Sequence, residues 1–201
     1  MKKILLIIII LLTGCSNKVI RDNSNKNIIG YLEIPNVFKV PVVQYSDNIY
    51  YLNHDINNKE DIKGSIFMDY RNNINDRKVL IYGHSGNYED LPFLKLNNYS
   101  KEDFFKNNDL IYFYISNKIY KYRVFSTYIE YKDFDYMNLN SFNNLTYLEH
   151  INKLKNNSMF YKDIELDNDS KIIILQTCSM DKSIKSKTKY RLVIGKLIKV
   201  S

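Results

Sequence analysis

The chain has 201 residues, 45% apolar, 25% charged and 14% aromatic, with 3 Pro and 6 Gly, a make-up that excludes disorder, collagen-like repeats and a disulfide scaffold. A chain of this length closes its apolar surface into one core and leaves no room for a second domain of ordinary size. The formal charge of +7 falls to +5 if residues 1–14, which hold Lys2 and Lys3 and no acid, are removed; the excess sits on scattered lysines, suits a solvated surface or work beside anionic lipid or wall polymer, and points to no nucleic-acid partner.

At the amino terminus, Met1-Lys2-Lys3 precedes an apolar run of nine residues, Ile4 to Leu12, and then Thr13-Gly14-Cys15. Such a run rises about 14 Å as a helix, whereas a bilayer core of roughly 30 Å needs about twenty residues. Residues 1–14 are therefore expected to be an export signal. Leu12-Thr13-Gly14-Cys15 resembles a bacterial lipobox, which implies a lipid on Cys15 and a protein held at the extracellular face of the cytoplasmic membrane. An uncleaved amino-terminal anchor is the alternative. Residues 15–27 are polar after Cys15 and are expected to form a flexible tether, with residues 28–201 as the folded domain.

From Ile28 onward short extended runs dominate. Gly30–Pro35 and Pro41–Tyr45 are punctuated by proline, as at strand starts or edges. Gly64–Asp69, Lys78–Tyr82 and Leu110–Ile115 follow. Ile119–Tyr128 alternates, with Tyr120, Tyr122 and Val124 on one face and Ile119, Lys121, Arg123 and Phe125 on the other. Lys171–Leu175 and Tyr190–Val200 complete at least eight strands, predicting a mainly β barrel or sandwich with few helices.

Two segments predict helix. Ser100–Asn107 opens on a potential Ser cap. Residues 141–156 carry Tyr147, Leu148, Ile151 and Leu154 on one apolar face, just before the strand that leads to Cys178. His54 falls in a polar loop, and His150 reads as a surface or boundary residue of the second helix. The three histidines, 54, 84 and 150, are too scattered to group as metal ligands, so no metal and no cofactor is expected.

Cys178 directly follows the apolar run Ile172–Leu175 and Gln176-Thr177, so it stands where a strand leaves the core. An exported lone thiol is either a small buried hydrophobe or a nucleophile, and the polar stretch Ser179–Lys189 would leave this one reachable. His84 ends another apolar strand between Gly83 and Ser85-Gly86 and is the best acid–base candidate of the three histidines. Arg191 opens the last strand; it either reaches solvent, pairs with a carboxylate, or faces a developing oxyanion.

These residues resemble the sortase family. Ile174-Leu175-Gln176-Thr177-Cys178 is similar to the T-L-x-T-C strand end of that family, Gly83-His84 to its G-H element, and Arg191 to the arginine that begins the following strand. Pro41-Val42-Val43-Gln44, Asp47-Asn48, Tyr51-Leu52 and Gly64–Asp69, with the helix before the Cys strand, are most similar to class B. Ile174 in place of Thr, and Ser85 in place of the usual Asn, depart from the pattern. The resemblance implies an eight-stranded sortase-type β-barrel and a cysteine transpeptidase. In that scheme Cys178 attacks the carbonyl after Thr in a C-terminal sorting motif of a secreted protein, and His84 moves the protons. Arg191 holds the oxyanion or the substrate, and an amine of peptidoglycan or a surface protein accepts the acyl group. It also places Leu175, Thr177, Ser85 and Ser179 beside the substrate. A thiol peptidase using the same pair, and a lipid-anchored protein with a structural Cys178, are the competing possibilities.

Overall fold

The computed structural model describes residues 25–86, 88–139 and 144–201. The expected signal, Cys15 and most of the tether lie outside these residues, as does the start of the second helix at 141. Contacts with the domain begin before Ile28. Asn25 is buried and donates through Nδ2 to the Ile56 carbonyl oxygen at 2.7 Å, and Asn27 donates to the Tyr51 hydroxyl at 2.9 Å.

Eight strands close a barrel in the order β1-β2-β3-β4-β7-β8-β6-β5. They are β1 (Ile28–Ile34), β2 (Phe38–Val43), β3 (Phe67–Met68), β4 (Lys78–Tyr82), β5 (Leu110–Ile115), β6 (Lys118–Glu130), β7 (Ile172–Cys178) and β8 (Tyr190–Val200), with helices α1 (Glu102–Asn107) and α2 (Asn144–Asn156). The eight-stranded, mainly β architecture expected from the sequence is the one observed.

The central strands β4 and β7 read as unbroken apolar runs because both of their faces are covered. Val79, Ile81, Ile173, Leu175 and Val193 point into the barrel, while Leu80, Ile172, Ile174, Leu192 and Ile194 pack outward beneath Tyr147, Ile151 and Leu154 of α2. β6 keeps the expected alternation as far as Val124. A register shift against β8 between Val124 and Ser126 then breaks it, and Phe125 to Tyr128 are all buried. β3 is shorter than the run Gly64–Asp69. Gly64 turns the chain at a φ of +58°, and a Cβ there would stand 2.5 Å from the Tyr51 carbonyl oxygen, so the strand begins only at Phe67. As a result β2 and β3 pair only through Val43 and Phe67.

Two sequence expectations change. Ser100 does not cap α1: it is the last residue of a 3₁₀ helix, Pro92–Ser100, and Lys101 occupies the cap with no side-chain bond. The buried Phe93, Leu96 and Tyr99 recur every third residue, the period of that tighter helix. His150 is not a surface residue. It is 8% exposed, with Nε2 3.0 Å from Lys78 Nζ, because it lies three residues after Tyr147 and four before Leu154 and so shares their face.

Burial, followed by the positive charges of Lys78 and Lys153 and opposed by Asp133, lowers the His150 pKa from 6.5 to about 4. Burial, with Arg71 adding and Asp135 opposing, lowers Lys78 to about 7. The unfolded chain takes up the His150 proton first as pH falls, so the stability held by the neutral imidazole is expected to drain away between pH 6.5 and about 4. Urea unfolding across that window checks this: His150→Leu should flatten the slope, and an unchanged slope would contradict it.

Candidate active site

β4 and β7 run parallel and in register from Lys78↔Ile172 to Tyr82↔Gln176. The pairing continues past the strand ends. Gly83 N donates to the Gln176 carbonyl oxygen at 3.1 Å, and the Thr177 hydroxyl donates to the Gly83 carbonyl oxygen at 2.8 Å. His84 and Cys178 are the next residues on their respective strands, so they leave the barrel side by side. Gly83 is required at this point, because a Cβ would meet the Phe93 ring at 2.6 Å and Ile66 at 3.0 Å.

Cys178 is exposed, in keeping with its place after the apolar run. Its backbone carbonyl is pinned from two sides: Ser85 Oγ donates to it at 2.5 Å, and Asn97 Nδ2 from the 3₁₀ helix at 3.3 Å. Asn97 also accepts from Met180 N at 3.2 Å, which ties down the first turn of the loop after β7. Burial of the sulfur pushes the Cys178 thiol above its ordinary value.

His84 is half-buried, with Nε2 2.7 Å from the Leu52 carbonyl oxygen. A carbonyl can only accept, so Nε2 carries the hydrogen and, in the neutral ring, Nδ1 is the basic nitrogen. Sequence reasoning misses Leu52 in this role, since a backbone carbonyl leaves no signature in residue type.

Arg191 pairs with Thr177 across β7 and β8, while Cys178 pairs with Tyr190. The guanidinium therefore lies one residue along from the cysteine in the register. It is 1% exposed; Nη1 rests 3.0 Å from the Met159 sulfur, and Nε has no hydrogen-bond partner among the described residues. Burial, opposed by Asp181, lowers its pKa to about 10, which leaves it cationic at neutral pH. Tyr190 stands opposite Cys178 with its ring edge-on to Phe134, centroids 5.8 Å apart.

Three expected substrate contacts are corrected. Leu175 is fully buried in the barrel interior, Thr177 is 1% exposed with its hydroxyl committed to Gly83, and Ser179 is buried beneath the loop that its backbone amide ties to Lys189. Strand alternation gives the reason: Leu175 and Thr177 belong to the face opposite Cys178. On the cysteine's own face the preceding residue is Gln176, half-buried, whose Oε1 accepts from the Tyr136 hydroxyl at 2.8 Å. Counting back by two from Cys178 would have found it. Ser85, the fourth expected contact, is half-buried and spends its hydroxyl on the cysteine's backbone.

The sortase domain family model matches residues 32–196. Sortase B of Listeria monocytogenes is 31% identical over 179 residues, covering 87% of this chain and 71% of the relative. Sortase B of Staphylococcus aureus is 31% identical over 185 residues, covering 90% and 74%. Among solved structures, Clostridium perfringens sortase B superposes with a TM-score of 0.81 at 28% identity, over 88% of this chain and 97% of that one. A Staphylococcus aureus sortase B–substrate complex gives 0.79 at 29% identity, over 88% and 82%. The barrel, the paired ends of β4 and β7 and these matches agree: the chain belongs to the sortase family and, within it, to the class B cysteine transpeptidases.

Proposed function

We propose that this chain cleaves a C-terminal sorting motif of exported proteins after Thr and passes the acyl group to an amine of the cell wall or of a surface protein. The observation that carries the proposal is an exposed Cys178 at the end of a buried strand, level with His84 on the parallel neighbour. The Cys178 thiolate attacks the peptide carbonyl, and the imidazolium of His84 gives its proton to the leaving amine, leaving a thioester. An incoming amine then gives a proton to His84 as it displaces the sulfur. The orphaned Nε of Arg191 supports a role for the guanidinium as donor to a substrate oxygen, since a buried donor without an acceptor is costly until one arrives. Solved relatives bound to a substrate and to triglycine are consistent with a peptide and an amine using one site. The proposal includes anchoring through a lipid on Cys15, which intact-mass measurement of membrane-extracted protein would test.

The test is a fluorogenic library of sorting-type pentapeptides, with and without an amine acceptor. Ligated product is expected; acid alone, whatever amine is added, would make the chain a thiol peptidase. The pH profile should be bell-shaped, since activity needs a thiolate and an imidazolium together, and the raised thiol pKa keeps the doubly competent fraction small and turnover slow. A flat profile between pH 6 and 9 would remove the pair from the chemistry.

A further inference from the structure

A cavity of about 200 Å³ opens beside His84. Its apolar walls are Val40 and Pro41 from β2, Ile66 and Leu91; Asp55 and Lys63 supply charge. It sits where β2 and β3 part company beyond Val43 and Phe67, on the side of β4 away from β7. His84 thus has Cys178 on one flank and this cavity on the other.

We infer that the cavity receives the amine substrate, a short chain ending in a primary amine, and delivers its nitrogen to the acyl group past His84. The inference rests on the transpeptidation proposed above and names the second substrate's place in it. Placement argues first. During the second half-reaction the acyl peptide occupies the face of β7 that bears Gln176 and Cys178, so the acceptor needs a separate approach that still touches the imidazole. The cavity flanks His84 from the free side.

Size argues next. The volume is below the roughly 300–1,000 Å³ of sites for drug-sized ligands, which suits one or two residues of an extended chain and excludes a folded partner.

Charge is the third argument. The two segments that wall the cavity, 54–66 and 85–92, carry five carboxylates (Asp55, Glu60, Asp61, Glu89 and Asp90) against Lys59 and Lys63, in a chain whose formal charge is +7. Asp55 is held below its ordinary pKa, chiefly by the backbone amide of Lys59, and stays ionised to attract an ammonium group. Lys63 and Asp90 join the two walls by an ion pair of 2.6 Å, 35% and 66% exposed, a link weak enough to open as a ligand enters.

The transfer step balances. The neutral amine nitrogen attacks the thioester carbon, the C–N bond forms as the C–S bond breaks, and the amine proton passes through His84 to the departing Cys178 sulfur.

The experiment uses the full chain and the best pentapeptide from the library, with three nucleophiles in parallel: hydroxylamine, too small to need the cavity; triglycine, an α-amine; and N-acetyl-lysine amide, a side-chain amine. In Asp55→Asn and in Val40→Phe, which fills the cavity, the ratio of amine ligation to hydroxamate should fall about tenfold for whichever amine is the better acceptor. An unchanged ratio in both variants overturns the inference, while absence of hydroxamate with the unsubstituted chain would instead sink the transpeptidation proposal. A binding measurement separates the two further. In Cys178→Ala, which can form no thioester, triglycine or N-acetyl-lysine amide should shift the backbone NMR signals of Gly64, Ile66 and Leu91. Shifts confined to residues around Gln176 and Tyr190, or none with either amine, overturn the cavity assignment whatever the chemistry.

Discussion

Cys178→Ala is expected to abolish both cleavage and transfer, lowering turnover by a factor on the order of 10⁴ to 10⁶, the range seen when a lone nucleophile is deleted. The same substitution should leave the fold intact. The side chain is exposed, and the hydrogen bonds that anchor this position, from Ser85 and Asn97, go to its backbone oxygen, which Ala retains. A stability change within about 0.5 kcal/mol follows. Intact-mass spectrometry should show an acyl adduct on the unsubstituted chain and none on the variant. Residual activity above about one per cent, with the melting temperature unchanged, would place the reaction at another group.

Asp69→Ala should give the largest loss of stability. The Asp69 side chain is wholly buried. It accepts from Arg71 Nε at 2.8 Å and Nη2 at 2.7 Å, from the Tyr82 hydroxyl at 2.8 Å and from Asn48 Nδ2 at 2.9 Å. Removing it strands a buried phenol and an unpaired guanidinium, a change that costs about 3–5 kcal/mol for fully buried pairs. Arg71 is 39% exposed and can turn toward water, so the low end, about 3 kcal/mol, is expected in urea unfolding. Tyr82 lies two residues before His84 on the same strand, so the network also braces the end of β4. Burial alone would raise the Asp69 pKa, but the bonds from Arg71, Tyr82 and Asn48 outweigh it and the net direction is down. Its stabilisation is therefore full at neutral pH and lost as the pH falls through the folded-state value. The Ala variant should show a smaller acid sensitivity; a loss under 1 kcal/mol would mean that the network closes over the gap.

The barrel is legible in the sequence because its central strands are buried on both faces and its outer ones alternate, patterns that depend on residue type alone. Cys178 and His84 are legible for a related reason: each ends an apolar run, and parallel strands that end together present their last residues together. Register is the harder part. Nothing in residues 179–189 says that the returning strand pairs Arg191 with Thr177 and not with the cysteine, since the length and path of that loop decide it. His150 looks like a surface residue only when its polarity is weighed above its spacing, although the intervals to Tyr147 and Leu154 already put it on the apolar face. The 3₁₀ segment, with aromatic and aliphatic residues at every third position, hides behind Ser100, because serine is a common helix starter. Adjacency to Cys178 draws Leu175 and Thr177 toward the substrate, when alternation turns them away.

Closure of the sheet has one more consequence. At the cysteine end, β7 is bonded to β4 on one side and β8 on the other, and β4 is bonded to β3 and β7. An extended guest peptide therefore finds no vacant strand edge to join, and recognition by β-augmentation is closed to it. Selectivity has to come from side chains and from the connecting segments around the rim, so exchanging those segments should retarget the enzyme while the scaffold beneath stays as it is.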